Sequence, residues 1–174
     1  MSDEEDLSFL QPALDLGIEL RVGWRKSDPA IEADAKALWA RLGVLPGGID
    51  PDLRADEIVT AGYVDCELAA VSTAFVRELP FLRQRFAMLR ILVAPEFRLH
   101  SISRLVSGHD RKVLEEWALA HPEENCAGLA TVHQADKRNQ RKSRPVKRAS
   151  GLTLVGYTPE DEKIFVAWFD HVRV

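Results

Sequence analysis

The stretch Val93 to Val106, VAPEFRLHSISRLV, constrains the fold more than any other part of the chain. An apolar run that begins at Phe86 stops at Pro95, passes through Arg98, His100 and two serines, and continues with apolar residues at helical spacing. It reads as a buried strand that turns and enters a helix directly. Such a junction aims unpaired backbone amides and the positive end of a helix dipole at one point, which suits a phosphate. An α/β architecture with an anionic ligand at this junction is the first expectation.

The flanking patterns fill in the order of elements. Ile18, Leu20, Val22 and Trp24 alternate with the period of a half-buried strand, and Ser27, Asp28 and Pro29 form a helix start. Ile31, Ala35, Leu38, Trp39 and Leu42 then recur at helical spacing up to Gly43, a C-terminal glycine. Val44 to Pro51 is a loop, and Asp52 to Asp56 forms a short helical turn. Glu57 to Val64 and Leu68 to Val76 are strands joined as a hairpin, and Phe86 to Val93 is a strand that is apolar on both faces except at Arg90. A helix from Ser101 ends at His121 and Pro122, with Gly108 as a weak point. Ala127 to Val132, Leu152 to Tyr157 and Lys163 to Phe169 complete the strands.

At 174 residues and 46% hydrophobic composition the chain suits one domain, taken as residues 18–174 behind a flexible acidic arm at 1–17. The net charge of −4 argues against wholesale nucleic-acid or membrane binding. No apolar run has membrane-spanning length, and Cys66 and Cys126 lack both metal-ligand and redox-motif spacing. The N-terminus carries no signal-peptide pattern, so a cytoplasmic protein with reduced thiols and no metal is expected. Core packing is the default for Trp24, Trp39, Trp117 and Trp168, with the edge of an acceptor pocket a lesser option for Trp24.

This element order, with Val93, Ala94, Pro95, Glu96, Phe97 and Arg98 matching a strand that ends V-x-P-x-x-R, resembles the GNAT N-acetyltransferase superfamily from about Ile18 to Phe169. The resemblance implies a mixed, mostly antiparallel sheet of six or seven strands with helices on both faces. It also implies an acyl-CoA ligand, most simply acetyl-CoA, held by Leu92, Val93, Arg98, Leu99, His100, Ser101, Ile102 and Ser103. Ser101 and Ser103 stand where the family prefers glycine. Serine is tolerated there if its dihedrals are helical, and the loop must deform if either position needs a positive φ. Two plainer roles stay open: Arg98 pairs with a carboxylate, and Ser101 caps the helix.

The resemblance further implies direct transfer of an acetyl group to an amine. Asn139, Gly151 and Leu152 look like the family's Asn…Gly-Phe stretch, but Val146 and Lys147 lie nearest the position of its thiolate-protonating tyrosine. The strand from Phe86 offers no carboxylate base, which leaves His133 as the first candidate, ahead of His100 and Glu96. The alternative is a catalytically inactive GNAT-like binding or regulatory protein. Its basic segment 137–148, with Lys137, Arg138, Arg141, Lys142, Arg144, Lys147 and Arg148, would then contact nucleic acid or an acidic partner. A solvated loop is the default for that segment and contact with CoA phosphates a further option, and it has no interleaved aromatics for base stacking. The acceptor and the oligomeric state, a homodimer included, stay open.

Overall fold

In a computed structural model the described residues are 8–98, 100–133, 145–147 and 150–173. The elements are α1 (Gln11–Leu14), β1 (Glu19–Val22), α2 (Pro29–Leu42), α3 (Pro51–Ala55), β2 (Ile58–Val64), β3 (Glu67–Leu79), β4 (Gln84–Val93), α4 (Ile102–Ala120), β5 (Cys126–His133), β6 (Val146–Lys147), β7 (Leu152–Tyr157) and β8 (Lys163–Trp168). The strands form one eight-stranded sheet in the order β1-β2-β3-β4-β5-β8-β7-β6. The pairs β1–β2, β2–β3, β5–β8, β8–β7 and β7–β6 are antiparallel, whereas β4–β5 is parallel. The mixed, mostly antiparallel α+β class is thus as expected.

Among the described residues eight strands replace the expected six or seven, because Val146 and Lys147 pair with Thr153 and Leu152. Pro145 argues for a broken helix or loop in sequence, yet its carbonyl accepts from the Leu154 amide at 2.8 Å and so starts this short edge. Proline lacks an amide hydrogen but keeps its carbonyl, which is why it suits an edge strand.

Two compact units divide the chain, Met1–Thr73 with Ile91–Asp110, and Ala74–Arg90 with Arg111–Val174. In the first unit, α2 begins where Asp28 accepts from the amides of Ala30 and Ile31, and it ends at Gly43 with φ 58°. Its buried stripe of Ile31, Ala35, Leu38 and Trp39 packs on Ile58, Ala61, Tyr63, Leu68 and Val71. The opposite face of these strands, through Val64, Ala69 and Ala70, packs on Ala13 of α1 and on Ile102 and Val106 of α4. Helices therefore cover both sheet faces of this unit. Ala13 is fully buried, so the part of the acidic arm that is described, residues 8–17, carries a helix anchored in the core; residues 1–7 lie outside the described residues. The β2–β3 turn holds Asp65 and Cys66 at φ 48° and 66°, the paired left-handed conformation of a tight hairpin.

The second unit packs Phe86, Met88, Ala127, Ala130, Ile164 and Val166 into its own core. Phe86 meets Trp168 edge to face at 5.0 Å. Gly128 faces Trp168 across the β5–β8 ladder, where an added β-carbon would fall 2.1 Å from the Ala167 carbonyl oxygen. The last registered β4–β5 pair is Met88 with Ala130, while β5 continues to His133. No helix among the described residues is long and apolar enough to cross a membrane.

Candidate functional site

The junction singled out in the sequence lies within the first unit. Leu92 packs with the α2 cluster, and Ile91 and Val93 turn to the α1 and α4 side, as alternation along a strand requires. The Ala94 amide donates to the Ala69 carbonyl at 2.8 Å, which ties the end of β4 to β3 before a 3₁₀ turn at Pro95–Phe97. Arg98 Nε donates to the Val93 carbonyl at 3.3 Å, so the side chain folds back on the strand end. The carboxylate next to it is engaged elsewhere: Glu96 accepts from Arg41 at 2.6 Å, and that bond holds its carboxyl below the usual range.

Ser101 sits at φ 57°, inside the left-handed region that glycine adopts freely and a side chain disfavours. Its carbonyl accepts from the amides of Arg104 and Leu105 at 3.0 and 3.3 Å, which starts α4. The positive φ differs from the extended backbone of an ordinary N-cap. Ile102 is 1% exposed and anchored in the core, so only its backbone faces outward chemistry, whereas Ser103 is exposed. His100 is half-buried, its amide donating to the Phe97 carbonyl at 3.4 Å. Leu92 and Val93 end β4, Arg98 and His100 follow the 3₁₀ turn, and Ser101, Ile102 and Ser103 open α4; Leu99 lies outside the described residues.

One feature of the first unit escapes the sequence reading. Thr60, Ser72 and Asp110 are all buried between β2, β3 and α4. Ser72 Oγ donates to Asp110 Oδ1 at 2.8 Å and accepts from the Thr60 amide at 3.0 Å, and Thr60 Oγ1 lies 3.0 Å from His109 Nδ1. Asp110 Oδ2 is buried with no hydrogen-bond partner. Burial pushes this carboxyl up to about 7 against the lowering effect of the Thr60 and Ser72 hydroxyls. The available signal was a carboxylate four residues after Val106 on the apolar stripe of the helix, facing hydroxyls in otherwise apolar strands.

His133 ends β5 in the second unit. Its Nε2 lies 2.5 Å from Lys147 Nζ, and its ring lies 5.0 Å from that of Phe165. Burial, then the charges of Lys147 and Lys163, push the imidazole down to about 4, so it is neutral at pH 7. Of the basic residues in segment 137–148 only Lys147 is described; Lys137, Arg138, Arg141, Lys142, Arg144 and Arg148 lie outside the described residues, as does Asn139. Trp24 and Trp39 are buried, in keeping with core roles, and Trp117 stacks on His121 at 5.5 Å.

No protein-family model matches the chain, and no curated protein matches it by sequence. Solved structures do. The acetyltransferase of GNAT family from Streptococcus pneumoniae aligns at a TM-score of 0.50 and 15% identity, over 87% of this chain and 99% of that one. A protein assigned to the GNAT family from Desulfovibrio desulfuricans aligns at 0.51 and 14%, over the same 87% and 99%. The chain has the fold of the GNAT N-acetyltransferase superfamily.

Proposed function

We propose that the protein is an acyl-CoA-dependent N-acetyltransferase that uses acetyl-CoA and transfers the acetyl group directly to an amine. The observation that carries this reading is the left-handed backbone at Ser101, immediately before α4. The loop holds a glycine-type conformation although glycine is absent, and it retains this despite the strain of a β-carbon. In that conformation the amides of Ile102 and Ser103 open the helix, and the hydroxyls of Ser101 and Ser103 add donors. Together they fit a pyrophosphate. Arg98 and His100 flank the group, and Leu92 and Val93 bring up the strand end, with the Val93 carbonyl already engaged by Arg98. Leu99 completes the proposed run.

Bound acetyl-CoA supplies the activated thioester. The chain's contribution is to hold the donor, position the amine and take up its proton. His133 is the proposed acceptor of that proton; it is unprotonated at pH 7, but a pKa of about 4 makes it a weak base. The exposed thiol of Cys66 and the buried thiol of Cys126, both unbridged, suit a cytoplasmic setting.

Calorimetry with acetyl-CoA and CoA, followed by thiol-release assays over a panel of amines, tests this reading. Saturable binding of both ligands is expected, weakened about tenfold in Ser103→Glu by repulsion of the phosphates. No binding at millimolar ligand overturns it. Binding without transfer favours the second reading, an inactive binding protein. Lys147 near the family's tyrosine position and the weak basicity of His133 are the observations on its side.

A further inference from the structure

Within the first unit, the junction between β4 and α4 rests on α2. Ala94 is fully buried, and Leu92 and Phe97 are partly buried, against the cluster that holds Ile31, Ala35, Leu38 and Trp39 of α2. Apolar contacts thus seat both ends of the 3₁₀ turn Pro95–Phe97. The middle of that turn carries a charge. Glu96 is half-exposed, and its carboxylate accepts from Arg41 Nη1 at 2.6 Å. Arg41 lies in the last turn of α2, and the charge of Glu67 at the start of β3 reaches it as well.

A carboxylate at this place works against an anionic ligand. Residues 98–103 are the proposed seat of the CoA pyrophosphate, and Glu96 stands two positions ahead of Arg98. An ionised carboxylate there repels a phosphate and competes with it for the Arg98 guanidinium. Glu96 is ionised at neutral pH, since the Arg41 hydrogen bond, more than any other contact, holds its carboxyl below the usual range; Arg98 affects it least. The two arginines therefore have separate partners. Arg41 takes the carboxylate, and Arg98 donates through Nε to the Val93 carbonyl at 3.3 Å. That bond uses Nε, and the terminal nitrogens are the ones that an end-on phosphate engages.

We propose that Arg41 is a positioning residue for the acyl-CoA donor: it holds Glu96 so that the carboxylate neither captures Arg98 nor faces the phosphates uncompensated. The assignment rests on the acyl-CoA reading above and adds a residue of α2 to the determinants of donor binding. Arg41 acts through Glu96 and touches no reacting atom, so its effect falls on donor affinity. Loss of Arg41 weakens binding through the charge that it uncovers, and removal of that charge reverses the loss.

Calorimetry of CoA and acetyl-CoA on the full chain, at about 50 mM and about 500 mM ionic strength, tests this with wild type, Arg41→Gln, Glu96→Gln and the double variant. Arg41→Gln should weaken both ligands about fivefold at the lower ionic strength and less than about twofold at the higher. Glu96→Gln should bind at least as tightly as wild type. Added to Arg41→Gln, it should restore affinity to within about twofold of wild type. Arg41→Lys keeps the charge and should lose less than Arg41→Gln.

A merely structural ion pair gives the opposite pattern. Arg41→Gln, Glu96→Gln and the double variant then lose affinity alike, because each breaks the same bond, and salt leaves the losses unchanged; that result overturns the proposal. Unchanged affinity in Arg41→Gln overturns it too. Urea midpoints should fall alike in both single variants, whereas affinity should fall in Arg41→Gln alone, and affinity losses that follow the midpoints count against the assignment. A wild-type chain that binds neither ligand removes the acyl-CoA reading and the Arg41 assignment with it. Wild-type binding with equal losses across the variants removes the assignment alone, so the two failures are distinguishable.

Discussion

At the scale of single residues, Ser101 and Asp110 each hold a conformation or charge state that the fold imposes. At φ 57° Ser101 carries the left-handed penalty of a side chain, which Ser101→Gly removes while adding freedom to the unfolded chain. The balance favours the variant by about 0.5–1 kcal/mol, measured as a higher urea midpoint at unchanged slope. A lower midpoint would refute the strain. Asp110 makes the opposite kind of demand. Its carboxyl titrates near 7 in the fold and near 4 in the unfolded chain, so the native state binds the extra proton. The stabilisation is complete below about pH 4 and is lost as pH rises toward 7, a change on the order of a few kcal/mol. Asp110→Asn should flatten this pH dependence in denaturant unfolding at pH 4.5 and 8. An unchanged slope would show that Asp110 is ionised in the fold at neutral pH.

Elements differ in how much of them local chemistry specifies. Asp28, the Ile31-to-Trp39 stripe and Gly43 delimit α2 in the sequence, and the helix Pro29–Leu42 has those boundaries because cap, stripe and left-handed glycine are all local devices. The β2–β3 hairpin was legible for the same reason, although β3 runs to Leu79. β6 was not, since two residues carry no period and their pairing with Thr153 and Leu152 depends on a partner strand. Gly128 is a second tertiary feature: alternation places it in β5, but only the ladder shows Ala167 lying against it. Gly128→Ala should destabilise by about 3 kcal/mol through overpacking against backbone, read as a lowered thermal midpoint. Wild-type stability in this variant would mean that β5 and β8 approach less closely.

For the whole molecule, β3, β4 and α4 each contribute residues to both compact units. Unfolding one unit therefore breaks elements of the other, and a single cooperative transition is expected. Far-UV circular dichroism and tryptophan fluorescence should give coincident urea curves; two separated transitions would show that the units unfold independently. The order of elements, the mixed sheet class and the strand–turn–helix junction were all legible in the amino-acid sequence, because hydrophobic period, caps and turn residues act over short distances. Tertiary structure alone decided the left-handed backbone of Ser101, the buried carboxylate of Asp110 among Thr60 and Ser72, and the meeting of His133 with Lys147 and Lys163. Those residues are far apart in sequence, or their state depends on packing. Burial and the charge of neighbours set a dihedral or a pKa, and neither exists until the strands and helices have come together.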